Sequence, residues 1–210
     1  MRFILASTSP RRKELLTLLG LPFEVVTPSF VEQVVPHLAA DLQAAEFAAG
    51  KARSCAGQFP EAVVLGSDTL ISLGTEVLGK PLDLADAEVM LRMMAGRTHT
   101  IFTAVALVSH KLGFCDVRIA TIQVTMKAFD EAALTGYLRT EESLGKAGAY
   151  SIQGAGGMLI DRIEGDYTGA VGLPLRTVAD LVYRRGMACP VDIETLYALK
   201  PYPNWGRFSS

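Results

Sequence analysis

The chain has 210 residues, a length that favours one domain over two. Half of the residues are hydrophobic, which excludes a disordered chain because there is ample apolar surface to bury. A total of 20 lysines and arginines against 22 aspartates and glutamates gives a formal net charge of −2. This balance offers no electrostatic support for binding to nucleic acid or to an anionic membrane.

Cysteine usage and the N-terminus indicate the compartment. Cys55, Cys115 and Cys189 are widely spaced and form no C-x-x-C pair, so we expect neither a disulfide framework nor a structural zinc site. Each is interpreted as a small buried hydrophobe. The apolar stretch Phe3–Ala6 is too short for a secretory signal peptide, and no apolar run reaches the roughly 18–20 residues of a membrane span. These features predict a soluble, cytoplasmic protein.

The first half of the chain alternates apolar runs with helical patterns. Ser9 is a good N-cap and Pro10 a good first helical residue, while Gly20 is a typical helix stop. The predicted elements are a strand over Phe3–Ala6, a helix from Pro10 to about Leu19, a strand over Phe23–Val26, an alanine-rich helix over 38–56, and a buried strand over Ala62–Gly66 that ends in Ser67-Asp68-Thr69.

The second half continues the alternation. Its predicted elements are a turn around Gly74, a helix over Asp83–Ala95, a strand over His99–Ser109, an antiparallel partner over Phe114–Lys127, a helix over Asp130–Leu138, a strand over Met158–Ile163 and a helix over Leu175–Arg185. The tail from Pro190 is predicted to be irregular and packed on the surface. We predict an α/β fold, a single domain in which a mixed, twisted sheet is flanked by helices and folded into two lobes.

The segment Gly74–Pro81 partly matches a phosphate-binding P-loop. Gly74-x-x-x-x-Gly79-Lys80 matches a P-loop until Pro81, which stands where the Mg²⁺-binding Ser or Thr belongs. The residues before Lys80 are typical of a hairpin rather than of a strand that enters a helix. Lys80 is still a candidate site residue, because its place between Gly79 and Pro81 restricts its backbone and directs its side chain.

The segment Ser7–Arg12 is a better anion-binding candidate. It places hydroxyl groups, Arg11 and Arg12 at a strand-to-helix junction, where unpaired amides and the helix dipole favour an anion. The alternative is an ordinary helix cap followed by a solvated basic turn. Two arginines at a helix N-terminus are unfavourable because their charge opposes the helix dipole. This cost raises the anion-binding interpretation to about the same weight as the ordinary cap.

Two acidic residues and one histidine are further candidates. Asp68 follows a buried strand, so its carboxylate is interpreted as a metal ligand or a base, with a turn-capping aspartate as the alternative. Glu32 is the only acid between Glu24 and Asp41 and alone indicates little. His99 is interpreted as a hydrogen-bonded structural group, and three scattered histidines do not favour a zinc site.

The glycine-rich stretch from Gly145 to Gly157 predicts a close backbone approach to a ligand or to a neighbouring lobe. A flexible connection is the alternative. Within it, Gln153 offers both amide donors and an acceptor and is suited to contact the edge of a base.

Seven motifs in order resemble the Maf family of nucleoside triphosphate pyrophosphatases over about residues 2–188. They are Ser7-Thr8-Ser9-Pro10-Arg11-Arg12, Lys51-Ala52, Ser67-Asp68-Thr69, Gly79-Lys80-Pro81, Gly96-Arg97-Thr98-His99, Lys146-Ala147-Gly148-Ala149-Tyr150-x-Ile152-Gln153-Gly154 and Val171-Gly172-Leu173-Pro174-Leu175. The resemblance implies two lobes around a nucleotide-binding cleft, with a pyrophosphatase domain over 1–189, a tail over 190–210 and a homodimeric state.

The resemblance also implies hydrolysis of a nucleoside triphosphate to the monophosphate and pyrophosphate with Mg²⁺ or Mn²⁺. Asp68 would be the catalytic base or a metal-bound acid and Glu32 a second metal ligand, with metal-held water activated at Asp68 for attack on the α-phosphorus. Val31 stands where family members often have another acid, which weakens the expected metal site if both acids are needed. The substrate-binding residues implied are Ser9, Arg11, Arg12, Lys51, Thr69, Lys80, Lys146 and Gln153, with Arg12, Lys51 and Lys80 as the triphosphate clamp.

Specificity is implied by three of these positions. Arg11, Thr69 and Gln153 resemble the subgroup that acts on dTTP and UTP, including modified pyrimidine nucleotides. The alternatives are hydrolysis of 7-methyl-GTP or another modified nucleotide and, from a different class, a nucleotide- or nucleic-acid-binding regulator of septum formation without turnover.

Overall fold

The computed structural model describes residues 2–35 and 38–208. His37, one of the three scattered histidines, lies outside these ranges. The described strands are β1 Phe3–Ala6, β2 Glu24–Val26, β3 Val63–Leu73, β4 Glu76–Leu78, β5 Thr98–Ser109, β6 Phe114–Met126 and β7 Ile160–Glu164. The described α-helices are α1 Pro10–Thr17, α2 Ala40–Gln58, α3 Leu84–Met94, α4 Glu131–Leu138, α5 Tyr167–Val171, α6 Leu175–Arg184, α7 Ile193–Leu199 and α8 Trp205–Phe208.

The strands form a mixed sheet in the order β2-β1-β3-β5-β6-β7, with β4 paired to β3 outside this path. Strand β1 pairs in parallel with both β2 and β3, and its register places Ala6 opposite Gly66. Antiparallel pairing joins β3 to β4 and β6 to β7. The prediction of an α/β fold with a mixed sheet is confirmed.

Local capping explains why most predicted helices begin where expected. The side chains of Ser9, Asp83 and Asp130 accept hydrogen bonds from backbone amides three residues later, at 3.5, 2.8 and 2.9 Å. Helices α1, α3 and α4 therefore start directly after these residues. The left-handed φ of +69° at Gly20 follows the end of α1, as the helix-stop pattern predicts.

Strand β3 differs from its prediction. The strand does not end at Gly66 but continues to Leu73, so Asp68 lies within a strand rather than after one. Its parallel pairing with β1 ends at Gly66, whereas its last residues, Ile71–Leu73, pair antiparallel with β4. The polar triplet Ser67-Asp68-Thr69 resembles a strand end in sequence, but tertiary pairing extends the strand through it.

The tail also differs from its prediction. Residues 193–199 and 205–208 are helical, so the expectation of an irregular tail is wrong. Trp205 is 1% exposed and stacks on Tyr167 with ring centroids 5.7 Å apart. Tyr167 itself begins α5, a helix that the sequence pattern did not predict. Each of the two tail helices has a buried apolar side chain, Leu196 in the first and Trp205 in the second. The boundary at residue 189 stays a prediction.

The chain divides into two compact units. The first comprises the described residues of 1–69, 102–120 and 172–199, and the second those of 70–101, 121–171 and 200–210. In the first unit, α2 lies so close to β3 that a Cβ on Gly66 would clash with the Ala48 carbonyl and approach the Ala52 Cβ to 2.9 Å. The second unit packs α3 against α4 and against the 3-10 turn over Ala147–Ala149.

Two composition-based expectations are also tested by the structure. All three cysteines carry free thiols, but only Cys55 is buried, since Cys189 is half-buried and Cys115 exposed. The interpretation as a buried hydrophobe is therefore confirmed for Cys55, wrong for Cys115 and only partly met by Cys189. Among the described helices, none is long and apolar enough to cross a bilayer.

Candidate functional site

The N-terminus of α1 forms one side of the candidate site in the first unit. Ser9 caps the helix, and its own amide donates to the Ser7 hydroxyl at 3.1 Å. One turn into the helix, the half-buried Arg12 donates from Nε to the Gly172 carbonyl at 3.1 Å and from Nη2 to the Thr69 hydroxyl at 3.3 Å. These bonds fix the plane of the guanidinium. They use two of its five N–H donors and leave three that no described residue accepts.

The Gly172 carbonyl is held by two donors from distant parts of the chain. Besides Arg12, the fully buried Ser67 hydroxyl donates to it at 3.2 Å. Gly172 has a φ of +125°, a conformation that an L side chain rarely adopts. The Thr69 hydroxyl is in turn paired with that of buried Thr103 at 3.0 Å. Arg12 is thus oriented by a network of buried groups.

Lys51 is the centre of the site. It projects from α2, is buried, and its Nζ lies 2.5 Å from Oδ1 of Asp68 and 2.5 Å from Oε1 of Glu32. Asp68 is also buried, whereas the Glu32 side chain is half exposed. A buried ammonium needs such partners because an unpaired charge in the interior is very unfavourable.

Burial and neighbouring charges act against each other here. Burial raises the pKa of the Asp68 carboxyl above its usual value, and the positive charges of Lys51 and Arg12 oppose that rise. Burial likewise lowers the pKa of the Arg12 guanidinium, and the Asp68 carboxylate opposes that change. Asp68 is therefore a stronger proton acceptor than an exposed aspartate.

The donor set of Asp68 and Glu32 fits a hard divalent cation. Both carboxylates contact the same Lys51 nitrogen, so their oxygens lie close together. Mg²⁺ is usually bound by one or two carboxylates together with water and substrate phosphates. Within the described residues no group of three or more His, Cys, Asp or Glu side chains is arranged for a metal. A cation here would need oxygens from a ligand as well.

The remaining predicted site residues lie elsewhere. Arg11 is half-buried next to Arg12 in the first unit, whereas Lys80, Lys146 and Gln153 belong to the second unit. There the Gly148 amide donates to the Gly79 carbonyl at 3.0 Å, so the segments that carry Lys80 and Lys146 are adjacent. The Gln153 side-chain oxygen is buried and has no hydrogen-bond partner among the described residues.

His99 has the structural hydrogen bond that its sequence context predicts. Its Nε2 lies 2.7 Å from the Tyr150 hydroxyl, and both side chains are buried in the second unit. Burial lowers the pKa of the imidazole to about 4, so His99 is neutral at physiological pH. The prediction of a structural histidine is confirmed.

Sequence reasoning missed three contributors to the Arg12 network. In the sequence, Thr103 is an ordinary residue of a predicted strand. Ser67 and Gly172 stand within two motifs but have no assigned role, although both bond within the network. The motif Gly172-Leu173-Pro174 before a helix is the one signal that could have drawn attention to the Gly172 carbonyl. Nothing in the sequence pattern indicates Thr103.

Comparison with known proteins defines the class. The family model described as "Maf-like protein" matches residues 2–185 of this α/β chain. That match covers most of the chain, and the chain belongs to the Maf family. The resemblance seen in the seven sequence motifs is therefore confirmed.

Named relatives extend the comparison. The dTTP/UTP pyrophosphatase of Moorella thermoacetica is 44% identical over 206 residues, covering 98% of both chains. The dTTP/UTP pyrophosphatase of Deinococcus radiodurans is 44% identical over 187 residues, covering 89% of this chain and 94% of its own. A 7-methyl-GTP pyrophosphatase of Syntrophotalea carbinolica is 39% identical and covers 88% of this chain and 94% of its own.

Proposed function

We propose that this protein is a nucleoside triphosphate pyrophosphatase that hydrolyses dTTP and UTP to the monophosphate and pyrophosphate. Its membership of the Maf family and its similarity to relatives named dTTP/UTP pyrophosphatase support the activity. The structural observation that carries the proposal is the cluster in which the buried Lys51 bonds to both Asp68 and Glu32, beside Arg12.

Arg12 and Lys51 supply positive charge for the triphosphate. The three N–H groups of Arg12 that no described residue accepts are available to phosphate oxygens, and an arginine fork matches them in geometry as well as in charge. We extend the clamp to Ser9, Lys80 and Lys146 on the strength of the family resemblance. Charge on the leaving pyrophosphate is stabilised by these donors, so no covalent intermediate is required.

Asp68 is proposed as the general base. Its carboxylate accepts the proton from the water that attacks the α-phosphorus, and burial, which raises its pKa, favours this acceptance. Lys51 keeps the carboxylate oriented through their hydrogen bond. Asp68 and Glu32 are also the residues that would hold Mg²⁺ or Mn²⁺, which when bound neutralises phosphate charge and acidifies water.

Gln153 is proposed to select the base, together with Arg11 and Thr69. Its buried side-chain oxygen lacks a partner among the described residues, and a buried acceptor without a donor is unfavourable. The N3–H of uracil or thymine is a donor of the required kind. A pyrimidine imide edge would therefore satisfy an acceptor that the described chain leaves open.

The test is pyrophosphate release from a panel of dTTP, UTP, CTP, GTP, ATP, 7-methyl-GTP and 5-methyl-UTP with Mg²⁺ or Mn²⁺. We expect metal-dependent turnover of dTTP and UTP, lost at least 100-fold in Asp68→Asn because the base is removed. Asp180→Asn is the matched control, since Asp180 pairs with Arg184 on the exposed face of α6. Full turnover by Asp68→Asn would disprove the base assignment.

A second candidate substrate is 7-methyl-GTP, which the name of the Syntrophotalea relative favours. Preferred turnover of 7-methyl-GTP in the same panel would support the proposed reaction but contradict dTTP and UTP as the preferred substrates. Nucleotide binding without any turnover would instead indicate the regulator of septum formation. Combined substitution of Arg11, Thr69 and Gln153 is expected to change base preference while the metal requirement persists. The homodimeric state and the cytoplasmic location stay predictions, the first open to gel filtration.

A further inference from the structure

The C-terminal tail holds the loop that carries Gln153. The side-chain nitrogen Nδ2 of Asn204 donates to the carbonyl of Ile152 at 2.9 Å and to that of Gly154 at 3.2 Å. These carbonyls flank Gln153 on both sides. A primary amide has two N–H donors, so both are used on this loop.

The loop is shaped to receive the Asn204 amide. A Cβ built on Gly157 would lie 2.6 Å from the Asn204 Nδ2 and 2.7 Å from the Ile152 carbonyl oxygen, closer than real Cβ atoms approach. Glycine at 157 is therefore required for Asn204 to reach the carbonyl groups. A separate bond from the Ala155 amide to the Glu142 carboxylate, at 2.8 Å, fixes the residues after Gln153.

Asn204 is itself held firmly. Its φ is +62°, a left-handed conformation that asparagine tolerates better than most residues. The preceding carbonyl of Pro203 accepts a hydrogen bond from the Tyr167 hydroxyl, and the following Trp205 stacks on the Tyr167 ring. Phe208 stacks on the same ring, with centroids 6.3 Å apart. The aromatic cluster thus fixes the backbone from which the amide projects.

We propose that Asn204 is a positioning residue for base selection, acting through the backbone of Gln153. The inference rests on the proposed function, because it needs Gln153 to contact the nucleotide base. The Gln153 oxygen is buried without a hydrogen-bond partner among the described residues, and Asn204 bonds to the backbone carbonyls on both sides of Gln153. Asn204 lies outside residues 2–185 that the family model matches, so the proposal assigns this role to a residue of the tail.

UTP and CTP provide a direct readout because they differ only at positions 3 and 4 of the base. Uracil has an N3–H that can donate to the Gln153 oxygen, whereas N3 of cytosine carries no hydrogen. If Asn204 keeps the Gln153 oxygen in position to accept from N3–H, removal of the Asn204 amide lowers the preference for UTP over CTP. A residue that merely stabilised the fold would affect both nucleotides equally.

Two variants remove the amide in different ways. Asn204→Gly accepts the positive φ without strain and deletes the side chain, while Asn204→Asp keeps the shape but presents oxygens that cannot donate to the two carbonyls. In both we expect KM for UTP to rise about tenfold, kcat to change less than twofold, and the UTP-to-CTP ratio of kcat/KM to fall about tenfold. Arg207→Ala is the matched control, since Arg207 is an exposed tail residue that lies over the Phe208 ring. It should leave the ratio unchanged.

The same substitutions in a Gln153→Ala background test the route of the effect. There we expect no further change in the UTP-to-CTP ratio, because the side chain that Asn204 positions is gone. An unchanged ratio in both single variants, or an equal fall with and without Gln153, overturns the proposal.

Binding of nucleotide analogues distinguishes failure of the proposed hydrolytic function from failure of the Asn204 proposal. Should the wild type release no pyrophosphate, the ratio is measured as dissociation constants for the α,β-methylene analogues of UTP and CTP by calorimetry. A tenfold fall in that ratio then supports the Asn204 proposal while the hydrolytic function fails. Absence of binding by either analogue to the wild type overturns both.

Discussion

Lys51 and Asp68 form a buried ion pair, with 2.5 Å between Nζ and Oδ1 and with side chains 10% and 8% exposed. The partners come from α2 and β3, and the same ammonium also contacts Glu32. Both charges are largely shielded from bulk water, so each buried charge is stabilised mainly by its partner. The first prediction follows from this dependence.

Lys51→Met should destabilise the protein and inactivate it. The Asp68 carboxylate would be left buried beside one cation fewer, which costs about 3–5 kcal/mol of unfolding free energy. We expect kcat/KM for UTP to fall about 100-fold or more. Urea unfolding at pH 7 and pyrophosphate release measure the two effects.

Lys111→Met is the matched control for this change. Lys111 pairs with Glu61 at the surface, where both side chains are well exposed, so its loss should change stability by less than about 1 kcal/mol. The double variant Lys51→Met/Asp68→Asn should regain stability relative to Lys51→Met, because the buried charge is removed. A double variant no more stable than the single one would contradict the buried-charge argument.

The buried imidazole of His99 predicts a loss of stability in mild acid. The folded protein lowers its pKa from 6.5 to about 4, so between these values the unfolded chain binds more protons. The free energy of unfolding should therefore fall as the pH decreases from 6.5 to 4 and level off below. The lowering of the pKa from 6.5 to about 4 corresponds to about 3 kcal/mol of unfolding free energy.

His99→Gln tests the assignment because glutamine keeps a polar group near Tyr150 but does not titrate. Urea unfolding at a series of pH values should show that the variant lacks this component of the decline. The exposed His110 provides the control substitution His110→Gln, with which the effect of His99→Gln is compared. Equal slopes in all three proteins would exclude His99 as the cause.

Glu32→Gln should weaken metal dependence more than catalysis at saturating metal. The variant loses one of the two carboxylates proposed to hold the cation, while Asp68 and Lys51 remain paired. We expect the Mg²⁺ concentration for half-maximal activity to rise about tenfold. Titration of Mg²⁺ against UTP turnover measures it, with the exposed Glu61→Gln as control. An unchanged Mg²⁺ titration would remove Glu32 from the metal site.

Two glycines near α2 should respond in opposite directions to alanine. Gly66→Ala places a Cβ against the Ala48 carbonyl and 2.9 Å from the Ala52 Cβ, so unfolding free energy should fall by about 1–3 kcal/mol. Gly57→Ala, in the last turn of α2, meets nothing within 4 Å and should gain about 0.5–1 kcal/mol from helix propensity. Urea unfolding compares them. Equal effects would show that close helix-to-strand packing is not what requires Gly66.

Much of the fold could be predicted because the relevant interactions are local. Ser9, Asp83 and Asp130 each cap a helix through an amide three residues away. The segment Thr121–Thr125, rich in β-branched residues, lies within β6 as expected. Such signals need no distant partner. Strand β3 was misjudged at Asp68 because its continuation to Leu73 depends on the neighbouring strands β4 and β5 of the sheet rather than on its own residues.

The amino-acid sequence by itself determined the α/β alternation, the helix starts and the residue types of the candidate site. Only the tertiary structure decided that Lys51 bridges Asp68 and Glu32, that Gly172 receives both Arg12 and Ser67, and that Asn204 holds the Gln153 loop. Caps and periodic patterns act within a few residues, whereas these contacts join residues 17 to 160 positions apart. Their formation depends on burial and packing of the whole chain, which no local pattern encodes.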